Sequence, residues 1–325
     1  MGLEDARDQV DMAFTRTDPR GPSFENTFGG ATSFLRRRYT KDLAGVDLAI
    51  LGVPFDMAVT IRPGTRLGPR AIREASALQA FDPPYGWDFD PMEAFTIVDS
   101  GDLAFDYARV AEFPDRLTAH VAAMLAQGAG VLALGGDHSI SLPLLRAHAA
   151  IHGPLALVQF DAHTDTWADD DPVRIDHGTM FYKAVREGLI DTARSVQVGI
   201  RTTNPDTMGI TILDAPWVHD HGPRATVARI REVVGDAKAY LSFDIDALDP
   251  AFAPGTGTPV WGGLTSAQAA AMLRGLAGID VVGADVVEVS PPFDATGATA
   301  IAGAHVAAEL MCLYCAARRA KGDVR

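Results

Sequence analysis

Three apolar runs in this chain end abruptly in groups that bind metals. Gly130 to Leu134 breaks into Gly135-Gly-Asp-His138, Leu155 to Phe160 ends in Asp161-Ala-His163-Thr-Asp165, and Tyr240 to Phe243 runs into Asp244-Ile-Asp246. Such runs read as buried strands, and strand residues two apart face the same way. Asp161, His163 and Asp165 are therefore expected to converge, as are Asp244 and Asp246. Four carboxylates gathered at one point would be strongly repelled and desolvated, so a cation is required if the segments are neighbours. Two imidazoles and four carboxylates without a thiolate suit a borderline-to-hard divalent ion such as manganese, and argue against a structural zinc site of the cysteine type. His138, Asp161, His163, Asp165, Asp244 and Asp246 are too many for one ion that must leave room for a substrate. They suit two ions joined by shared carboxylates and activating a water. Four aspartates roughly cancel two divalent ions, and a hydroxide between them leaves the cluster slightly anionic, able to accept a cationic substrate.

Gly135-Gly-Asp-His138, Asp161-Ala-His-Thr-Asp165 and Ser242-Phe-Asp-Ile-Asp-Ala-Leu-Asp-Pro250 resemble the three signatures of the ureohydrolase (arginase and agmatinase) family. The similarity runs from about Gly52 to the C-terminus, through Arg66-Leu-Gly-Pro-Arg-Ala-Ile-Arg73, Pro254-Gly-Thr-Gly-Thr-Pro259 and Val286-Val-Glu-Val289. Asp176-His-Gly-Thr-Met-Phe-Tyr182, with Glu187-Gly-Leu-Ile-Asp191 after it, looks most like bacterial agmatinases. Taken singly, each His or Asp could be a solvated loop residue or a satisfied core group; the whole constellation is specific. The resemblance implies a three-layer α/β/α arginase-type fold and two Mn2+ per chain. One ion would be held by His138, Asp161, Asp165 and Asp244, the other by Asp161, His163, Asp244 and Asp246, with Asp161 and Asp244 bridging. It further implies that Asp165 carries a proton to the leaving amine and that His177 resembles the family's proton-transfer histidine, an imidazole titrating near neutrality. Glu288 would pair with the guanidinium, because a carboxylate accepts two parallel N–H bonds from that planar fork. Asp249 is expected to support the turn after Asp246, and Thr256 and Thr258 to line the pocket. A homotrimer or homohexamer is implied as well.

Arginases in the family grip the amino acid's carboxylate through Asn and Ser in the loop after Asp-x-His-x-Asp. Here Thr166 to Asp176 has no Asn or Ser and carries Asp169, Asp170 and Asp171. Those charges would repel a carboxylate and favour an amine, which points to agmatine, cleaved to putrescine and urea in polyamine formation. Arg174 is the counter-argument: it could pair with a carboxylate and make 4-guanidinobutyrate or 3-guanidinopropionate the substrate. Other classes fit less well. A dinuclear phosphoesterase usually needs Lys or Arg beside the metals, and the signatures contain none. A deacetylase-like site holds one catalytic zinc and does not need this full set. A non-catalytic metal-binding scaffold has no reason to keep every ligand.

The elements that must position these groups follow from the rest of the chain. At 325 residues, 47% hydrophobic and 22% charged, it has the make-up of a globular α/β protein with ample core. Residues 1–40 are rich in Pro and Gly with little periodicity and read as a surface or subunit-contact segment; 41–325 read as a single catalytic domain. The formal net charge of −14 disfavours nucleic acid as a partner. No membrane span or signal peptide is apparent, which makes the cytoplasm the expected compartment. Cys312 and Cys315 lie in an Ala/Leu-rich helical pattern and read as packing residues. Strands are expected at 47–53, 95–98, 130–134, 155–160, 195–199, 211–213, 239–243 and 279–289, and helices at 70–76, 113–127, 139–152, 225–234, 266–276 and 298–317. Strands alternating with helices, several of them continuous apolar runs, indicate a mainly parallel sheet covered on both faces. His138, Asp161, Asp244 and Glu288 then fall at the C-terminal ends of four strands, where such sheets bind ligands.

Overall fold

The computed structural model describes residues 11–322. Eight strands form one sheet in the order β2-β1-β3-β8-β7-β4-β5-β6. They are β1 (Leu48–Val53), β2 (Ile97–Asp102), β3 (Gly130–Gly135), β4 (Ala156–Phe160), β5 (Val196–Val198), β6 (Thr211–Leu213), β7 (Lys238–Asp244) and β8 (Asp280–Val287). Every pairing between them is parallel, so the mainly parallel sheet expected from the sequence is wholly so. The helices are α1 (Met12–Thr15), α2 (Gly68–Ser76), α3 (Pro91–Ala94), α4 (Phe113–Ala126), α5 (Ser141–His152), α6 (Met180–Arg186), α7 (Ala215–Val234), α8 (Ser266–Gly275) and α9 (Ala298–Ala320). Alternate strand residues feed two cores. Leu48 and Ile50 pack with α2, α7, α8 and α9 on one face, while Ala49, Leu51 and Val53 pack with α4, α5 and α6 on the other. This is the three-layer α/β/α arrangement.

Two helices depart from the periodicity. α6 spans only 7 residues, too short for a clear amphipathic repeat. α7 begins ten residues before the expected start because Asp214 caps the backbone N–H of Trp217; the sequence break at Gly222-Pro223 is a kink, with Gly222 at φ 77°. α9 is long and apolar enough by composition to span a bilayer, but 72% of that stretch is buried inside the protein. Cys312 and Cys315 lie there as buried free thiols, their pKa values pushed up by burial.

Residues 11–40 run over the molecule and reach into it. Phe34 and Leu35 join the α2-side core, and the Phe34 N–H donates to the buried Asp99 carboxylate at 2.7 Å. Asp99 also takes Arg73 at 2.8 Å, tying this segment to α2 and β2.

The register sets the site. Phe160 of β4 lies beside Phe243 of β7, and Asp244 beside Val287 of β8, so Asp161, Asp244 and Glu288 emerge at one level of the C-terminal edge. In β3, Leu134 lies beside Val286 and places the Gly135–His138 turn next to them. The strand order is discontinuous here: β3 and β4 are separated by β8 and β7, and the four strand ends surround one crevice.

Candidate metal centre

The three sequence segments meet, but by a different local geometry from strand alternation. β4 stops at Phe160, and Asp161 to Asp165 form a loop in which Asp165 takes a left-handed φ of 53°. β7 stops at Asp244, and Asp246 sits in a single helical turn, its own N–H donating to Asp244 Oδ1 at 2.8 Å. Loops of this kind turn successive side chains toward one point, which a straight strand cannot do for residues spread over five positions. Gly136 makes the third approach possible: a Cβ there would lie 2.4 Å from the carbonyl oxygens of Val53 and Phe55.

His138 Nδ1 lies 3.1 Å from Asp161 Oδ2, 2.9 Å from Asp165 Oδ2 and 3.2 Å from Asp244 Oδ2. It is buried and makes a directed hydrogen bond with none of them. A buried nitrogen with three carboxylate oxygens within 3.2 Å and no directed hydrogen bond to any of them is the arrangement expected of ligands around a cation. A second group, Asp161, His163 and Asp246, shares Asp161 with the first. There His163 Nδ1 is 3.4 Å from Asp161 Oδ1 and 3.1 Å from Asp246 Oδ2. All six candidate ligands are thus together. Asp161 belongs to both groups, whereas Asp244 groups with His138 and Asp161.

The tautomer of His138 is set from behind. Its Nε2 is 2.7 Å from Ser242 Oγ, which donates to Asp285 Oδ1 at 2.6 Å. Asp285 Oδ2 accepts from Ser141 at 2.8 Å and Tyr240 at 2.9 Å. With the serine hydroxyl's proton committed to Asp285, Nε2–H must donate to Ser242, and Nδ1 keeps its lone pair for an ion. Gln159 does the equivalent for Asp161, donating to Oδ2 at 2.7 Å. Sequence reasoning missed these supports. Asp285 within a Val-rich strand was the available signal, since a buried carboxylate there demands partners.

Among the protein groups alone, the cluster shares protons unevenly. Burial opposes the charge on His138, yet Asp161, Asp165 and Asp244 outweigh it and hold its pKa well above the usual imidazole range. His163, also against burial, is raised to about 12 by Asp246 and Asp161. Burial pushes Asp165 up to about 6, helped by Asp161. Burial likewise raises Asp244 and Asp246, which repel one another and Asp161. A site that must draw in protons to become tolerable is one a divalent cation would relieve.

Glu288 and His177 lie beside the cluster and touch each other. Glu288, at φ 63°, accepts at Oε1 from the His138 N–H and from His177 Nδ1, both at 2.9 Å. Its Oε2 is buried with no partner. Burial lowers the His177 pKa, but the pairing with Glu288 wins and carries it to about 9. On its other side, His177 Nε2 is 3.3 Å from Thr60 Oγ1. Thr60 is held in place because its loop is clamped by Asp137, which accepts from Ala58 N–H at 3.0 Å.

A cleft of about 350 Å³ opens above the cluster, floored by His163, Asp165 and Asp244 and walled by Trp167, Arg174 and Asp176. Thr258 lines it and donates to Asp246 Oδ2 at 3.3 Å, while Thr256 is buried away from it. Asp249 holds the neighbouring loop by accepting from the N–H groups of Ala251, Gly262 and Gly263. The acidic triplet does not line the cleft, which corrects the reason drawn from sequence for amine selection. Asp169 is paired to Lys183 at 3.0 Å, Asp170 accepts from Tyr182 at 2.9 Å, and Asp171 caps Val173 at 3.0 Å. Lys183 neutralises Asp169, and the tyrosine and turn hydrogen bonds hold Asp170 and Asp171 away from the cleft lining.

A family model described as the arginase family matches residues 46–313. A protein named agmatinase from Chromobacterium violaceum is 54% identical over 304 residues, 93% of this chain and 94% of that protein. The crystal structure of a hypothetical agmatinase from Burkholderia thailandensis has a TM-score of 0.93 at 55% identity, covering 96% of this chain and 99% of that one. Proclavaminate amidino hydrolase from Streptomyces clavuligerus has a TM-score of 0.83 at 38% identity, covering 90% of this chain and 100% of that one.

Proposed function

The chain belongs to the arginase family, shares its fold and is a hydrolase of guanidino groups, and on that premise we propose that it cleaves agmatine to putrescine and urea. The observation that carries the reading is the pair of ligand groups sharing Asp161 on the floor of the cleft, with the unpartnered Glu288 Oε2 beside them. The donor set, imidazole nitrogens and carboxylate oxygens without sulfur, fits two divalent ions, with manganese preferred. When bound, such ions acidify water so that it can attack the resonance-stabilised guanidinium carbon at neutral pH.

The protein's own groups supply the rest. Glu288 accepts the guanidinium's N–H groups and orients its carbon toward the cluster. Water's oxygen adds to that carbon, the bond to the nitrogen of the substrate's alkyl chain breaks, and the amine departs as an ammonium carrying the water's two protons. Asp165, beside the cluster, carries a proton from the water to that amine. His177, between Glu288 and Thr60 at the cleft wall, exchanges protons with solvent or product. We place the protein in the cytoplasm as a homotrimer or homohexamer, with the segment 1–40, of which residues 1–10 lie outside the described residues, assigned to subunit contacts.

Urea release from manganese-loaded protein with agmatine, 4-guanidinobutyrate, 3-guanidinopropionate and arginine tests the substrate. Agmatine is expected to have the highest kcat/KM. A guanidino acid beating it by about tenfold, roughly 1.4 kcal/mol in transition-state binding, would sink the amine reading and leave the reaction class intact.

A further inference from the structure

Resting on agmatine as substrate, we infer that Asp176 disarms Arg174 as a carboxylate anchor, and that this pair sets the preference for a tail ending in ammonium over one ending in carboxylate. The guanidinium end is committed to the floor, where His163, Asp165 and Asp244 gather. The tail must then lie along the outer wall, where Trp167, Arg174 and Asp176 stand. Arg174 is the one permanently charged base among the described residues lining the cleft. Left alone it would fit a carboxylate through two parallel N–H bonds. It is not left alone: its Nη2 lies 2.7 Å from Asp176 Oδ2, and its Nε 3.9 Å from Asp169.

Asp176 is built to stay in that position. Its Oδ1 accepts from the Gly178 N–H at 2.8 Å, which fixes the carboxylate beside His177 and leaves Oδ2 for Arg174. Its side chain is 18% exposed against 57% for Arg174, so the acid is the more buried member of the pair and the base the more solvent-exposed one. The backbone of Arg174 is pinned as well, its carbonyl accepting from Lys183 Nζ at 2.6 Å. Asp169 does not alter the balance, because Lys183 neutralises it. A carboxylate tail must therefore break the Arg174–Asp176 pair and approach a fixed anion, whereas an ammonium tail meets a wall already furnished with an acceptor.

The test is the ratio of kcat/KM for 4-guanidinobutyrate to that for agmatine, measured in the manganese-loaded wild type, in Asp176→Asn, and in Asp176→Asn combined with Arg174→Gln. Asparagine keeps the Oδ1 acceptor for Gly178 and removes the charge. Because the ratio is internal to each protein, general losses of folding or metal cancel. Asp176→Asn is expected to raise the ratio by about tenfold or more, and the added Arg174→Gln to return it to within about threefold of the wild type. A ratio unchanged within about twofold in Asp176→Asn, or a raised ratio that persists without Arg174, would overturn the inference. Failure of the substrate reading itself looks different: in the wild type a guanidino acid would already beat agmatine by about tenfold in kcat/KM.

Discussion

At the scale of single residues, side chains that share this small site differ in what their loss should do. Asp244 is a candidate ligand buried among charges, its Oδ2 3.2 Å from His138 Nδ1 and its Oδ1 capping Asp246. His177 contacts Glu288 and Thr60, and no candidate ligand side chain is among its hydrogen-bond partners. Asp244→Ala is therefore expected to abolish urea release and lower the bound metal, while His177→Ala slows turnover with both ions retained. Metal analysis of the two purified variants separates the roles. Metal loss in His177→Ala would make that histidine a ligand or a ligand's support. Ser242 and Asp285 illustrate a different dependence, since they act on the centre only through the ring orientation of His138.

At the scale of elements, α5 carries a titratable group that has nothing to do with the reaction. His148 is wholly buried between α5 and β7. Its Nδ1 bonds the Leu144 carbonyl at 2.8 Å, its Nε2 has no partner, and its ring meets Tyr240 edge-on at 5.2 Å. Burial drives its pKa down to about 4, against the pull of that carbonyl. The fold thus favours neutral imidazole. Between pH about 6.5 and about 4 the unfolded chain binds a proton that the folded one refuses, so this group's contribution is whole above the window and lost as pH falls through it. The full loss is on the order of 3 kcal/mol. His148→Leu should flatten the fall in stability across that window, read as denaturation midpoints at several pH values beside the wild type. Parallel curves for the two proteins would show that His148 is not responsible.

At the scale of the whole molecule, the candidate metal centre sits where β3, β8, β7 and β4 end together, so what happens there is felt by the sheet. Without cations, Asp161, Asp165, Asp244 and Asp246 repel across those strand ends. Chelation is expected to lower Tm by several degrees at constant pH, and manganese to restore it. At free metal a thousandfold above Kd, linkage alone contributes about 4 kcal/mol. A Tm indifferent to complete chelation would argue that the acidic cluster is stable by itself and does not depend on a cation.

The candidate ligands, the four strands that carry them and the parallel character of the sheet were legible in the sequence because each rests on a local pattern. Apolar runs such as Leu155 to Phe160 bury themselves wherever they pack, and Asp-x-His-x-Asp has few uses other than holding cations. Local pattern could not show that Asp161 to Asp165 converge through a loop with a left-handed Asp165, because that turn is imposed by the strand ends on either side. Nor could it show that Asp285, 43 residues from Ser242, completes a hydrogen-bonded path to His138; only the register of β7 against β8 brings them together. The charges of the loop before His177 were visible as a composition, but their effect depends on pairing. Asp169 meets Lys183, Arg174 meets Asp176, and which charge is left to face a substrate was decided by the tertiary structure alone, because electrostatic action at these distances follows position and not count.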